Sequence, residues 1–280
     1  RPEQALKMAT IQAAKCYGLH HLGAIAPGYQ ADFVVLDNLS DMNVLEVYHR
    51  GKKIIKDEKV EIRPCDPQLK NTVHLLGFRE SDLCLPWREG KVHILKMLEG
   101  QIVTEDVQEE VGYTEEKGRK VFKPDGTYQK IAAVERHKNT GKIGVGIVKG
   151  FGLRGGAIAS SVSHDSHNLI VIGDNDHDMY LAVQELLRTQ GGYTLVENGQ
   201  VFDTLPLPIM GLMSDAGYEK VNEKLARMIP KAHEMGIPEG FDPFITLSFM
   251  ALPVIPEIRI TPRGVYLTQE DRMIQSPFDR

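Results

Sequence analysis

The chain has 280 residues, of which 42% are hydrophobic and 25% charged, with a formal net charge of -5 at pH 7. This composition is typical of one large or two ordinary folded domains and excludes wholesale disorder. Lys and Arg are dispersed, which argues against nucleic-acid and membrane partners, and no apolar run approaches the ~20 residues of a membrane span.

The cysteines indicate the cellular compartment. Cys16, Cys65 and Cys84 are an odd number of thiols without Cys-x-x-Cys spacing. They favour reduced thiols in a cytoplasmic protein over a disulfide framework or a zinc site. The sequence opens on Arg1 and leads into a helix without a signal peptide, so we expect the later part of a longer polypeptide.

The first fifty residues predict a helix followed by a small sheet. Pro2 suits a first helical turn, apolar residues recur at helical spacing as far as Tyr17, and Gly18 ends the helix. Asp32 and Gly28 have the character of turn residues, with structural roles rather than chemical ones. Three strands are predicted, the last two as a hairpin: 33–36, 44–48 and 53–55.

This segment resembles the closing part of the amidohydrolase superfamily. The resemblance is carried by ALKMATIQAAKCYGL, LGAIAPGYQADFVVLDN and VLEVYHRGKKI. It implies that residues 1–20 are the last helix of a (β/α) barrel and that residues 21–65 belong to a small β-sandwich. It carries no information about the substrate.

The middle of the chain is less regular. Residues 56–92 are interpreted as a connection with short strands, and two further strands are predicted over 92–97 and 101–104. The strongly charged residues 105–126 favour a solvated hairpin or insertion over an acidic binding site.

Apolar runs of strand length alternate with polar and glycine-rich turns between residues 130 and 179. Gly150–Gly156 predicts tight turning rather than a phosphate loop, because it lacks a Gly-Lys-Ser/Thr ending and no capped helix follows it. The predicted strands are Ile131–Val134, Val145–Val148, Ala157–Val162 and Leu169–Ile172.

The last third predicts helices and a hairpin. Asn175 and its aspartate neighbours cap a helix that stops at Gly191, and Asn198-Gly199 is a strong hairpin signal. A second helix starts at Ser214 or Asp215, with Tyr218 facing inward, and is kinked or ended by Pro230. Three further segments are predicted: 244–251 as a short helix or buried strand, 253–260 as a strand, and 266–280 as a polar, mobile tail.

The turn Ser163–Asn168, called the histidine turn below, is the candidate site. It contains His164, Asp165, Ser166 and His167, and loops on rigid strands often carry function. The His-x-x-His spacing is too short for two metal ligands at i, i+4, so a hydrogen-bonding or proton-shuttling turn is favoured, with a purely structural turn as the alternative. Glu135-Arg136-His137 is either a second part of this site or a buried ion pair.

The second half also resembles the C-terminal domain of the bacterial adenine deaminase family. The resemblance rests on AVERHKNTGKIGVGIVKGFGLRGGAIASSVSHDSHNLIVIGDNDHDM, LPLPIMGLMSD and PFITLSFMALPVIPEIRIT. It implies hydrolysis of adenine to hypoxanthine and ammonia by a water molecule that manganese or iron activates at a binuclear centre. The metal ligands would lie in a barrel upstream of residue 1, so no metal ligand is expected here, and this chain alone is expected to be inactive.

Together these interpretations predict an α+β protein. It would contain the end of an amidohydrolase (β/α) barrel and part of a β-sandwich, then an α/β C-terminal domain with a mixed sheet over residues 66–265. His164 and Asp165 are the expected catalytic residues. Ser163, His167, Asn168, Arg136 and His137 are expected to bind adenine. We expect a homo-oligomer, a dimer; the alternative is a non-catalytic interaction or oligomerisation domain.

Overall fold

The computed structural model describes residues 1–54 and 64–279. The chain divides into two compact units, Arg1–Ile62 and Arg63–Arg280, which are described separately. All three cysteines lie in the described ranges and are free thiols, as predicted. Within those ranges no helix is long and apolar enough to cross a membrane.

The first unit begins with the predicted helix. Helix α1 (Pro2–Lys7) continues through a π-helical turn (Met8–Gln12) into α2 (Ala13–Cys16). Gly18 follows with φ +68°, a left-handed conformation that glycine adopts without strain. The apolar face of the helix is exposed in this unit: Met8 is 65% and Tyr17 is 79% accessible.

A three-stranded antiparallel sheet completes the first unit. It contains β1 (Phe33–Leu36), β2 (Val44–His49) and β3 (Lys52–Ile54), which confirms the predicted strand and hairpin. The predicted strand residue Ile55 lies outside the described residues. The Asp32 carboxylate accepts a hydrogen bond from Arg50 N at 2.6 Å, which is the structural role that its position indicated.

The second unit is built on an eight-stranded mixed sheet with the order β13-β12-β10-β11-β8-β9-β4-β5. Neighbouring strands are antiparallel except β4 and β9, which are parallel. The strands are β4 (Val92–Met97), β5 (Thr104–Glu109), β8 (Tyr128–Val134), β9 (Ile143–Lys149), β10 (Gly156–Ser160), β11 (Leu169–Gly173), β12 (Gly192–Glu197) and β13 (Gln200–Pro206); β6 (Tyr113–Glu116) and β7 (Arg119–Phe122) form a separate hairpin.

The central strands contain continuous apolar runs because both faces of the sheet are covered. Ile131 and Ala133 belong to one core, and Ala132 and Val134 belong to the core on the opposite face. Alternate side chains of a strand point to opposite faces, so a strand buried on both faces has a continuous apolar run rather than an alternating pattern. This explains why all four central strands were recognisable in the sequence.

Three helices cover the two faces. The α3 helix (Asp176–Thr189) packs against β10 and β12, and α5 (Pro243–Phe249) packs against β10 and β11. Met228 of α4 (Tyr218–Glu234) shares a core with Phe244 of α5. Asn175 Oδ1 caps α3 by accepting from Asp178 N at 2.8 Å, as predicted.

Several boundaries differ from the prediction. The α4 helix begins at Tyr218 instead of Ser214 or Asp215, and Tyr218 is 65% exposed instead of inward. Of the two outcomes predicted at Pro230, ending the helix is wrong, because α4 continues past Pro230 to Glu234. The strand predicted over 101–104 starts at Thr104 and extends into the charged stretch, and the described part of 56–92 contains two 3₁₀ turns instead of strands.

The predicted polar, mobile tail over 266–280 is wrong. Strands β14 (Ile258–Thr261), β15 (Gly264–Leu267) and β16 (Arg272–Ile274) form an antiparallel sheet, with β14 packed against β8 and β9. Val265, Leu267 and Ile274 are at most 4% exposed. These isolated apolar residues are buried by tertiary contacts, which a polar local composition does not reveal.

Candidate functional site

Two connections carry the candidate residues, and they leave the same end of the large sheet. Val134, the last residue of β8, pairs with Leu169, the first of β11, and Ser160 at the end of β10 pairs with Ile170. Residues 135–142 and the histidine turn are therefore neighbours, because the ends of paired antiparallel strands lie side by side. The sheet register brings Arg136 beside the turn.

The histidine turn is anchored to α5. His164 N–H donates to Ser248 O at 3.0 Å, and the His164 ring lies 4.9 Å from the Phe249 ring, centroid to centroid. Within the turn, His167 N–H donates to Ser163 O at 2.6 Å, and His167 has φ +50°. His164 is half-buried by these contacts and Asp165 is exposed.

Two buried polar atoms of the turn have no hydrogen-bond partner in the described part of the protein. They are Ser163 Oγ, on a fully buried residue, and His167 Nδ1. Buried polar groups nearly always form hydrogen bonds, since an unpaired one costs about 1–3 kcal/mol. Ser163 Oγ and His167 Nδ1 are thus two atoms of the turn whose hydrogen-bonding capacity no described residue uses.

The electrostatics keep His167 neutral. Burial lowers the pKa of His167, and the neighbouring His164 and Arg136 lower it further. A neutral imidazole presents one N–H donor and one nitrogen acceptor, whereas a charged imidazolium presents two donors. His167 can therefore either donate or accept a hydrogen bond at physiological pH.

The side chains of Asn168, within the turn, and of His137, outside it, hold the turn in place. Asn168 Oδ1 accepts from Arg136 N at 3.3 Å, and its Nδ2 donates to Ser166 Oγ at 3.1 Å. His137 Nε2 lies 2.7 Å from Ser166 O, so it carries the proton that it donates to this carbonyl. Both side chains engage the turn itself.

Arg136 is 1% exposed and connects three segments of the second unit. Among the described residues no carboxylate forms an ion pair with Arg136, so they do not show the buried ion pair considered as the alternative. Burial lowers its pKa to about 10, against a small opposing effect of Glu135. Its guanidinium donates to carbonyl oxygens of His167, Thr72 and Met210 at 2.5, 2.9 and 2.9 Å, and to Thr72 Oγ1 at 3.2 Å.

Glu135 organises its own loop. Its carboxylate accepts hydrogen bonds from the backbone N–H groups of His137, Lys138 and Thr140 and from the Thr140 hydroxyl. Burial raises the pKa of Glu135, but these hydrogen bonds outweigh burial and bring the pKa down to about 2. The carboxylate stabilises the loop that positions Arg136 and His137.

Sequence reasoning missed the groups that support the turn. Ser161 Oγ donates to Gly211 O at 2.5 Å, and a Cβ on Gly211 would lie 2.9 Å from Arg136 Nη1. Gly211 also has φ +71°, so a side chain here would both clash with Arg136 and strain the backbone. Gly211 and Ser248 lie in the segments LPLPIMGLMSD and PFITLSFM, which marked the family resemblance but had no local chemical signature.

The described residues do not provide a metal site. Across residues 1–54 and 64–279, no three His, Cys, Asp or Glu side chains converge in a way that could hold a metal ion. A catalytic zinc or similar site requires about three protein ligands.

Fold and site together define a mixed α/β domain with a histidine-bearing turn at one end of its main sheet. The amidohydrolase family model matches residues 1–54, and the model described as adenine deaminase C-terminal domain matches residues 101–272. The second match covers the whole candidate site. The chain belongs to the adenine deaminase C-terminal domain family.

Curated relatives agree with this assignment. A protein of Desulfitobacterium hafniense named adenine deaminase is 52% identical over 274 residues, which is 98% of this chain and 48% of that protein. Proteins of the same name from Nitratidesulfovibrio vulgaris and Petrotoga mobilis are each 42% identical, covering 95% of this chain and 46% and 47% of theirs. The chain spans about half the length of the curated relatives it matches.

Proposed function

We propose that the chain is the C-terminal part of an adenine deaminase, which hydrolyses adenine to hypoxanthine and ammonia. The family assignment and the names of the relatives support this activity. The observation that carries the proposed site is the pair of buried, unpaired atoms in the histidine turn, Ser163 Oγ and His167 Nδ1. Adenine has ring nitrogens and an exocyclic amine that can pair with both.

The chemistry would be divided between two parts of the enzyme. Hydrolytic deamination requires a water molecule of lowered pKa and a proton route to the purine ring and the leaving amine. We assign the metal, manganese or iron, to a (β/α) barrel that precedes this chain. The described residues offer no such centre. This chain would contribute the side chains that bind and orient the substrate.

Roles within the turn follow from exposure and contacts. Asp165 is exposed and His164 is half-buried beside it, and both are proposed to face the reacting purine. Ser163 and His167 would bind the purine edge, and Asn168 would hold the turn. Arg136 and His137, expected to bind adenine, are better supported as positioning residues because backbone carbonyls accept their hydrogen bonds.

The first unit is proposed to contain the end of that barrel and part of a small β-sandwich, with the boundary between the two near residue 20. The match of residues 1–54 to the amidohydrolase family supports this assignment. The exposed Met8 and Tyr17 also support it, because an apolar helix face of this kind suits packing against a preceding domain. We further propose a cytoplasmic homodimer that acts in purine salvage and adenine catabolism.

The test uses this chain joined to the N-terminal half of the Desulfitobacterium hafniense relative. His164→Ala and Asp165→Ala should each lower kcat/KM for ammonia release at least tenfold, since loss of one transition-state hydrogen bond typically costs about 10²–10³-fold. Metal content and melting temperature should not change. His177→Ala, which alters a histidine 58% exposed on α3, is the control.

The kinetics also distinguish the competing interaction domain. If the turn stabilises an interface, the same substitutions will lower the melting temperature or dissociate subunits while the folded enzyme keeps its kcat/KM. Unchanged kinetics in stable His164→Ala and Asp165→Ala proteins would refute the active-site role of the turn.

A further inference from the structure

Exposed apolar side chains lie beside the histidine turn, on the side where Arg136 holds it. Residues 209–213, called the methionine turn below, carry Met210 and Met213, which are 44% and 50% exposed. Leu69 is 38% exposed and lies next to them, since its carbonyl oxygen accepts the Met210 N–H at 2.7 Å. Single apolar residues are common on protein surfaces, whereas adjacent ones mark interaction sites.

The methionine turn is fixed in place before any partner binds. Ile209 and Met213 exchange two backbone hydrogen bonds of 3.1 Å, and Met210 O accepts from Arg136 Nη2 at 2.9 Å. Arg136 also donates to His167 O, so one guanidinium holds the methionine turn and the histidine turn together. A surface that is already ordered loses less conformational entropy when a partner docks on it.

A second apolar surface adjoins the histidine turn at His164. Phe249 of α5 is half-buried, and its ring lies 4.9 Å from the His164 ring, centroid to centroid. Ile245, four residues earlier in the same helix, lies on the same face and is 53% exposed. Exposed apolar surface therefore adjoins the turn at His164 as well as at Arg136.

We propose that these two surfaces dock the upstream half of the full-length protein, the part of the relatives that has no counterpart in this chain. The match covers only 46% to 48% of the curated relatives, so a partner of about the same size as this chain is implied. This inference rests on the proposed function, in which the upstream half holds the metal and the histidine turn contacts the same substrate.

The position of the two surfaces fits that partner. One adenine molecule can reach a metal in one domain and Ser163 or His167 in the other only if the two domains touch around the histidine turn. Methionine and aromatic side chains are enriched in contacts between protein surfaces. Apolar contacts around the turn would also exclude water from it, which strengthens the hydrogen bonds formed there.

Hydroxyl-radical footprinting tests the docking surface. It compares the 280-residue chain with the same chain joined to the N-terminal half of the Desulfitobacterium hafniense relative. Met210, Met213 and Ile245 should be labelled at least fivefold more slowly in the joined protein. Phe202 is the internal control, because it is 38% exposed at the opposite end of the large sheet, near the Asn198-Gly199 hairpin. Its labelling rate should change less than twofold.

A substitution tests whether the methionine turn causes this protection. Met213→Glu places a charge in the docking surface and should restore labelling of Ile245 in the joined protein to at least half the rate in the separate chain. Val201→Glu is the matched control, since Val201 is 41% exposed at the opposite end of the sheet, and it should leave the protection unchanged. If circular dichroism shows that Met213→Glu disturbs the fold, Met213→Gln takes its place.

The outcomes separate docking from catalysis. Equal labelling of the methionine turn in both proteins would overturn the docking surface, whereas the kinetics of His164→Ala would still decide the proposed function. Protection that persists in Met213→Glu would also overturn it. Slow labelling of the separate chain that becomes faster on dilution would assign the surface to a second copy instead. Protection combined with unchanged His164→Ala kinetics would support the docking surface and remove the active-site role of the turn.

Discussion

Arg136→Met tests whether a buried cation holds the candidate site together. Methionine keeps much of the side-chain volume and removes the donors that the guanidinium offers to Thr72, His167 and Met210. Since these three residues lie in separate segments, the substitution releases the histidine turn from two neighbouring loops. We expect a large loss of stability and a looser turn.

The magnitude follows from two opposing effects. The fall in the pKa of Arg136 from 12.5 to about 10 corresponds to roughly 3 kcal/mol of lost solvation, which methionine would recover. Four hydrogen bonds from a charged donor contribute about 1.5–3 kcal/mol each, and their loss leaves buried carbonyls unpaired. The hydrogen bonds exceed the solvation cost, so Arg136→Met should destabilise the second unit by at least about 3 kcal/mol.

Urea unfolding followed by fluorescence measures this loss. Trp87 is the only tryptophan and lies in the second unit, where its Nε1 donates to Val111 O at 2.9 Å. Arg263→Met is the matched control, since Arg263 is exposed and its guanidinium forms no hydrogen bond within the described residues; its effect should stay within about 0.5 kcal/mol. A free energy of unfolding for Arg136→Met within about 0.5 kcal/mol of wild type would refute the reasoning.

Two further substitutions test local features of the second unit. Gly199→Val should cost about 1–3 kcal/mol, because Gly199 has φ +79° and a Cβ there meets no atom within 4 Å, leaving backbone strain as the cost. Gly112→Val, at an equally open position without positive φ, is its control, and equal melting temperatures would contradict the hairpin assignment. The pKa of Glu135 is lowered from 4.5 to about 2, so its stabilisation is present above pH 4.5 and is lost as the pH falls towards 2. The stability difference between wild type and Glu135→Gln should therefore shrink over that range, and a constant difference in acid unfolding curves would argue against this role.

Much of the sheet could be predicted from the sequence because its central strands are buried on both faces. The runs around Ile131 and Leu169 are apolar over their whole length, and the turn at Asn198-Gly199 has the residues that a two-residue hairpin needs. Strand order was not predictable, since the pairing of β4 with β9 joins segments far apart in the chain. The first strand of the terminal sheet was predicted, but β15 and β16 were missed because Val265 and Leu267 stand in a polar stretch and are buried by tertiary contacts.

The candidate site was predicted only in part, for a similar reason. The histidine turn could be recognised because its reactive residues are adjacent in sequence. Its supports could not, because Thr72, Met210 and Ser248 act through backbone carbonyls, which every residue has. Arg136 was recognised as a candidate site residue. Its hydrogen bonds to three separate segments could not be predicted, because these segments meet only in the folded protein.

The contacts that anchor the histidine turn bear on its proposed role in substrate binding. A turn that binds substrate for another domain must keep its geometry without that domain, because reorganisation during the reaction would weaken its effect on the transition state. The described contacts meet this requirement: Arg136, His137 and Ser248 fix the turn backbone entirely with groups of the second unit. Ser163 Oγ and His167 Nδ1 are left unpaired by the same framework. The turn thus has an anchored backbone and two unpaired polar atoms, a combination that supports its proposed role in ligand recognition over simple reversal of the chain.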